Sequence, residues 1–165
     1  MRKVLVFAML AFACVPAIAD ATHGAGTSPD QDKVTGSTKF ILPPNPFFTD
    51  AHVRIEAHSG PAGEDPRGQF YLEEDPLSFG GEVTCLTVSG NKATIGGRVD
   101  RSRPGFPVVG SGWLQEVEDN GEPGDMDRSR TTPFLAQAPD FCPTPTATTL
   151  ITAEQGNYVV HDAAP

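Results

Sequence analysis

The stretch GEVTCLTVSGNKATIGGRVD, residues 81–100, decides the fold. Two runs rich in β-branched residues flank Gly90-Asn91. That dipeptide suits a two-residue hairpin turn, because the primed turns need positive φ at central positions. Counting outward from the turn pairs Ser89 with Lys92, Val88 with Ala93, Thr87 with Thr94 and Leu86 with Ile95. Side chains alternate along a strand, so Leu86, Val88, Ala93 and Ile95 share one apolar face that should meet the core. Cys85, Thr87 and Thr94 fall on the opposite face, where Cys85 is expected to meet a covering segment.

Working outward, the same alternation recurs. Lys33 to Leu42 reads as a first strand, stopped by Pro43-Pro44-Asn45-Pro46 because proline cannot donate to a ladder. Phe47 to Ala57 is the clearest alternating run. It sets Phe47, Ala51, Val53, Ile55 and Ala57 against Asp50, His52, Arg54 and Glu56. Gly68 to Glu73 is a short strand with either Phe70 and Leu72 or Tyr71 inward. Val108 to Glu118 is another, interrupted by Gly110-Ser111-Gly112, with Trp113, Gln115 and Val117 on one face. Trp113 reads as a core anchor. Thr131 to Leu135 is a brief strand, and the Pro-rich run from Ala136 to Thr146 crosses the surface in extended form. Thr148 to Thr152 and Gly156 to Asp162 read as a closing strand pair around Glu154-Gln155. Helical periodicity is nowhere sustained after residue 19, and 17 Gly and 16 Pro punctuate the short runs. The expectation is therefore all-β and antiparallel: a small β-sandwich or a partly open barrel, one domain over residues 33–162, with one disulfide.

The N-terminus has the anatomy of a signal peptide. Arg2 and Lys3 precede the apolar run Val4 to Val15, and Ala17-Ile18-Ala19 is a small-x-small cleavage site. Residues 1–19 would then be removed and residues 20–32 would form a flexible leader. Cys14 lies inside the apolar run in a context that fits lipidation poorly. No later run approaches ~18 consecutive apolar residues, so a membrane span is not expected. Cleavage leaves 10 basic against 21 acidic residues, a net charge of −11. Such acidity disfavours nucleic acid and anionic membranes as partners. The remaining cysteines, Cys85 and Cys142, allow one intramolecular pairing on a secretory route. Secretion to the exterior, or to the periplasm where an outer membrane exists, is the expected address.

Several segments in order carry a resemblance: His58-Ser59-Gly60-Pro61 with Gly68-Gln69-Phe70, then 83–91 with 93–97, then 117–124 with Asp127-Arg128, and last 156–162. Together they resemble a group of small secreted bacterial all-β proteins, similar to domains found beside choice-of-anchor domains in surface proteins. The likeness spans roughly Val34 to Asp162. It implies a β fold and an extracellular address, and it supplies no catalytic residues.

Candidate chemistry is sparse. In EVEDNGEPGDMD, residues 116–127, Asp119, Asn120, Glu122, Asp125 and Asp127 offer oxygen ligands suited to Ca²⁺, although the spacing is not that of an EF-hand. The plain alternative is a solvated acidic turn. His52 and His58 share a strand face but lie roughly 20 Å apart, too far to hold one zinc ion. Nucleophile-elbow, phosphate-loop and dinucleotide fingerprints are absent from the sequence. The pairs Glu73-Glu74 and Glu116/Glu118 could in principle serve a glycosidase. These observations order the expectations. The first is a non-enzymatic structural or interaction module meeting an extracellular protein or glycan through loops 59–67 and 119–130, with no resident cofactor. A calcium-stabilised adhesion or carbohydrate-binding domain is second. A hydrolase using loop carboxylates or His58 is third. A protease inhibitor presenting Arg67 or Arg101 to Arg103 on an exposed loop is a further possibility.

Overall fold

A computed structural model describes residues 30–41, 50–121, 126–146 and 148–163. The expected signal peptide, Phe47, Glu122 and Asp125 lie outside the described residues. Nine strands follow one another: β1 (Asp32–Ile41), β2 (Asp50–Ser59), β3 (Arg67–Glu74), β4 (Leu77–Ser89), β5 (Lys92–Arg103), β6 (Gly112–Glu118), β7 (Arg128–Leu135), β8 (Ile151–Thr152) and β9 (Gln155–His161). All pairings are antiparallel and form one sheet in the order β8-β7-β6-β5-β4-β3-β2-β1-β9. Among the described residues no helix is long and apolar enough to cross a membrane.

The hairpin of β4 and β5 has the register counted from its turn, Ser89↔Lys92 through Leu86↔Ile95, with Gly90 at φ 60°. Leu86, Ala93 and Ile95 are buried in the core, as the alternation requires. Ala51, Val53, Ile55 and Ala57 of β2 face the same interior, and on β3 it is Phe70 and Leu72 that turn inward. Trp113 is fully buried and stacks on Phe70 with ring centroids 4.0 Å apart. The leader expected over 20–32 ends earlier than that: Asp32 already belongs to β1, and its buried carboxylate accepts the Ala163 amide at 3.0 Å.

The closing segments differ from expectation. β8 and β9 do not pair with each other: β8 pairs with β7 and β9 with β1, so the two stand at opposite ends of the strand order. Yet only Ala153 and Glu154 join them, so Thr152 and Gln155 are no more than about 11 Å apart. The two edges of the sheet must therefore meet, and the sheet is curled into a partly open barrel rather than a sandwich. The Ala153 amide bonds the Asp127 carbonyl at 2.7 Å and the Glu154 amide bonds the Lys39 carbonyl at 2.8 Å, which pins this crossing to both edges.

The seam is finished by carboxylates. One side of β9 bonds to β1, which leaves alternate amides facing the gap. Asp127 Oδ2 accepts the Tyr158 amide and Asp119 Oδ2 accepts the Val160 amide at 2.9 Å. The second oxygen of each bonds its own loop: Asn120 N to Asp127 Oδ1 at 3.0 Å, and Gly121 N to Asp119 Oδ1 at 2.8 Å. Two side chains thus replace the carbonyls of a missing strand and protect an otherwise open edge. Inside the seam, Thr38 Oγ1 donates to the Tyr158 hydroxyl at 2.7 Å, Gln115 Nε2 donates to Ser129 Oγ, and Thr131 Oγ1 donates to Gln115 Oε1 at 2.6 Å. Burial pushes the Tyr158 phenol well above its ordinary range.

Candidate functional site

The barrel has two unlike ends. At one end gather the loop 60–66, the Gly90-Asn91 turn, Asp32, residues 119–121 with 126 and 127, and Asp162. They are held together by polar bonds: Asp162 Oδ2 accepts the Gly90 amide at 2.6 Å, and Asn91 Nδ2 donates to the Asp119 carbonyl at 2.7 Å. At the other end a cavity of about 400 Å³ opens between the curled edges. Its wall comes from Ala51 and Val53 of β2, Leu72 and Glu74 of β3, Leu77 and Phe79 of β4, Phe106 of the β5–β6 connection, Arg130 to Thr132 and Phe134 of β7, and Ile151 of β8.

The strands explain why this end is apolar. β4 and β7 deliver Phe79 and Phe134 to the wall, and their rings meet edge to face at 5.0 Å. Phe106 continues the chain of rings against Phe134 at 5.2 Å, while Phe79 leads inward to Phe70 at 6.1 Å and so to Trp113. An aromatic path therefore runs from the barrel core to the rim. Two exposed apolar side chains, Phe106 and Ile151, stand at that rim. Two charged groups stand in this setting. Arg130 is exposed, and partial burial raises the Glu74 carboxyl above the usual carboxylate range. Size and composition match a ligand pocket of roughly 300–1,000 Å³ with an apolar wall and few polar groups, at the mouth of a barrel where such pockets concentrate.

The residues singled out from the sequence are distributed differently. Cys85 and Cys142 form a disulfide, and the segment 136–146 covers the outer face of the hairpin as expected. Thr84 Oγ1 donates to the Pro139 carbonyl at 2.7 Å and Thr87 Oγ1 to the Cys142 carbonyl at 2.9 Å. A disulfide is the mark of an oxidising, non-cytoplasmic compartment. Of the five candidate calcium ligands, Asp119, Asn120 and Asp127 are described. All four carboxylate oxygens of the two aspartates accept backbone amides, and Asn120 Nδ2 donates to the Met126 carbonyl at 2.9 Å. Among the described residues no group of three or more His, Cys, Asp or Glu side chains could hold a metal ion.

His52 and His58 lie on the unbroken strand β2, six residues and thus roughly 20 Å apart. His58 sits between Lys33 and Arg67 across the strands and 3.8 Å from Glu56. Burial, then those two cations, push its pKa below the ordinary imidazole value. Its neighbour Ser59 points to the opposite, buried face. Glu118 is bound to Lys92 at 3.4 Å and to Arg128 at 3.3 Å, and Glu116 accepts the Thr146 amide at 3.0 Å. Arg101 and Arg103 are not on a loop. They pair with Gly80 and Ser78 inside the sheet, so their backbone is not free to enter a protease cleft. The mouth cavity is the feature that sequence reading missed. Its wall is assembled from five strands and one connection, and the only local sign was the apolar run Phe106-Pro107-Val108-Val109.

Comparison with protein-family models, with curated proteins and with solved structures yields no match.

Proposed function

We propose that this chain is a secreted, non-enzymatic β-barrel binding module whose mouth cavity takes the apolar body of a small amphiphile, with an anionic head at Arg130. The cavity carries this reading: about 400 Å³ walled by Leu72, Leu77, Phe79 and Phe134 at an open barrel end. Burying an apolar ligand there gains about 25 cal/mol per Å² removed from water. The rigid sheet limits the ordering cost that binding would otherwise incur. The disulfide supports an extracytoplasmic setting, and the resemblance of the turn motifs to small secreted bacterial proteins is in keeping with it. An anilinonaphthalene sulfonate dye tests the proposal, since it combines an apolar body with a single anionic group. The expected result is one saturable site per chain, with the dye emission blue-shifted. Ala51→Phe and Thr131→Trp, which fill the wall from two different strands, should each abolish binding without lowering the melting temperature by more than a few degrees. Unchanged binding in both variants, or no binding by the parent chain, would overturn it.

A further inference from the structure

The outer face of the sheet holds a second arrangement, separate from the mouth. The strand registers place Arg54, Tyr71, Gly80 and Arg101 directly opposite one another on β2, β3, β4 and β5. Four neighbouring strands set these positions in a row about 14 Å long. Gly80 is what joins the row. A Cβ there would stand 2.7 Å from the Phe70 carbonyl oxygen and 3.0 Å from the Arg101 guanidinium. Without one, Arg101 lies across β4 with its Cζ 5.9 Å from the Tyr71 ring centroid. A shallow depression opens on either side of that stacked pair. The first, of about 380 Å³, is bordered by Glu73 and Arg103, and the second, of about 280 Å³, by Arg54 and Gln69. Among the described residues neither Arg54 nor Arg103 has an ion-pair partner, and Arg101 has only its neighbour Asp100 at 3.2 Å.

We propose that this row is a binding strip for a carboxylated polysaccharide. The half-buried Tyr71 ring, with Arg101 over one face, offers its remaining surface to one face of a sugar ring. Guanidinium forks on both sides match carboxylates bidentately, which ammonium groups cannot do. The charge is complementary locally even though the whole chain carries −9. Three guanidiniums, Arg54, Arg101 and Arg103, and two carboxylates, Glu56 and Glu73, border the strip, a local excess of one positive charge, while the carboxylates of Asp32, Asp119, Asp127 and Asp162 gather at the far end of the strands. At about 0.1 M salt the screening length is about 10 Å, so the far carboxylates are muted and the contact pairs are not. The neutral flanking groups, Gln69 and Ser78, can hydrogen-bond sugar hydroxyls.

Affinity electrophoresis of the purified protein in gels containing a polyuronate, a neutral glucan or a sulfated polymer tests this. Retardation is expected in the polyuronate, with none in the glucan and less in the sulfated polymer. Tyr71→Ala should weaken polyuronate binding about tenfold, and Arg54→Gln and Arg101→Gln about fivefold each. Lys92→Gln, at the far end of the hairpin, should leave it unchanged. All four side chains are at least partly exposed, and melting curves identify any variant that fails to fold. Lysine in place of Arg54 keeps the charge and loses the fork, so Arg54→Lys should resemble Arg54→Gln. The proposal is overturned if the polyuronate causes no retardation. It is equally overturned if Tyr71→Ala binds as the parent does, or if all polyanions bind alike with Arg54→Lys fully active, because simple charge attraction would then suffice.

Discussion

Removing the carboxylate of Asp127 should open the seam of the barrel. Asp127 is 2% exposed, and its two oxygens accept the amides of Tyr158 and Asn120. Hydrogen bonds to a charged group contribute about 1.5–3 kcal/mol each, and a buried amide left without a partner costs about as much again as a neutral bond is worth. Asp127→Ala should therefore destabilise the fold by about 3–5 kcal/mol, on the order of 10–15 °C in melting temperature for a domain of this size. Asp127→Asn keeps one acceptor oxygen and presents an NH₂ to the other amide, so about half that loss is expected. Asp119 makes the analogous pair of bonds in a less buried position, and Asp119→Ala should cost about 1–2 kcal/mol. Trp113 is the sole tryptophan and is buried against Phe70, so its emission reports urea unfolding directly. Hydrogen exchange supplies the local readout: the Tyr158 amide should lose its protection in Asp127→Ala while the amides of β4 and β5 keep theirs. An Asp127→Ala variant within 1 kcal/mol of the parent, or one whose Tyr158 amide stays protected, refutes the carboxylate seam. The same melts with EDTA and with excess Ca²⁺ separate this role from a metal site. With the oxygens already engaged by amides, no calcium-dependent shift is expected, and a rise of several degrees would restore Asp119 and Asp127 as ligands.

Replacing both Cys85 and Cys142 by Ala should destabilise the protein by about 4 kcal/mol, the chain-entropy value for a closed loop of 57 residues; chemical denaturation under non-reducing conditions measures it, and a loss below 1 kcal/mol would contradict it. Glu74 has its pKa raised by burial, so its contribution to stability is present at low pH and is lost as pH rises through the folded-state value. Glu74→Gln should therefore melt slightly higher than the parent at pH 7, with the gap closing below about pH 4.5; equal melting temperatures at both pH values would show that the carboxyl is fully solvated. The lowered pKa of His58 acts in the opposite sense, removing stability as pH falls below 6.5, and His58→Gln should flatten that part of the curve.

What was legible in the sequence was whatever depended on neighbours along the chain. The Gly90-Asn91 turn fixed the register of its hairpin because counting from a turn needs no tertiary information. The alternation of β2 was visible because one of its faces is apolar and the other charged. The seam was hidden for a matching reason. Nothing local says that Asp127 will bond an amide 31 residues away, or that β8 and β9 will pair with different partners. The acidic loop was recognised as unusual, but its oxygens suited a cation as well as an amide, and only the fold brings the amides near. The cavity was equally invisible, since Ala51 and Phe134 read as ordinary core positions until the sheet curls.

Register shifts mark the places where counting fails, and two of the three redirect a functional side chain. Extending the inward face of Leu86 back by twos would turn Thr84 inward. Instead the pairing passes from Val83↔Gly97 to Cys85↔Gly96, so Thr84 is the extra residue. Val83 and Leu86 then both face the core, while Cys85, on the turn side of the slip, keeps the outward facing that the turn gives it and meets Cys142. At the other end of the same hairpin Gly80 pairs with Arg101 and Gly81 with Val99, which makes Asp100 the extra residue. Val99 therefore stays in the core while Arg101 turns outward over Tyr71. In β7 the pairing passes from Leu114↔Thr132 to Gly112↔Leu135, a slip that includes Pro133, whose missing N–H suits a bulge better than a ladder. Without the slip, Phe134 would stand opposite Gly112 on the outer face and point to solvent. With it, Phe134 turns in against Phe79 and closes one wall of the cavity. The outer arginine row and the aromatic mouth thus share one device: a single added residue that reverses the facing of everything beyond it.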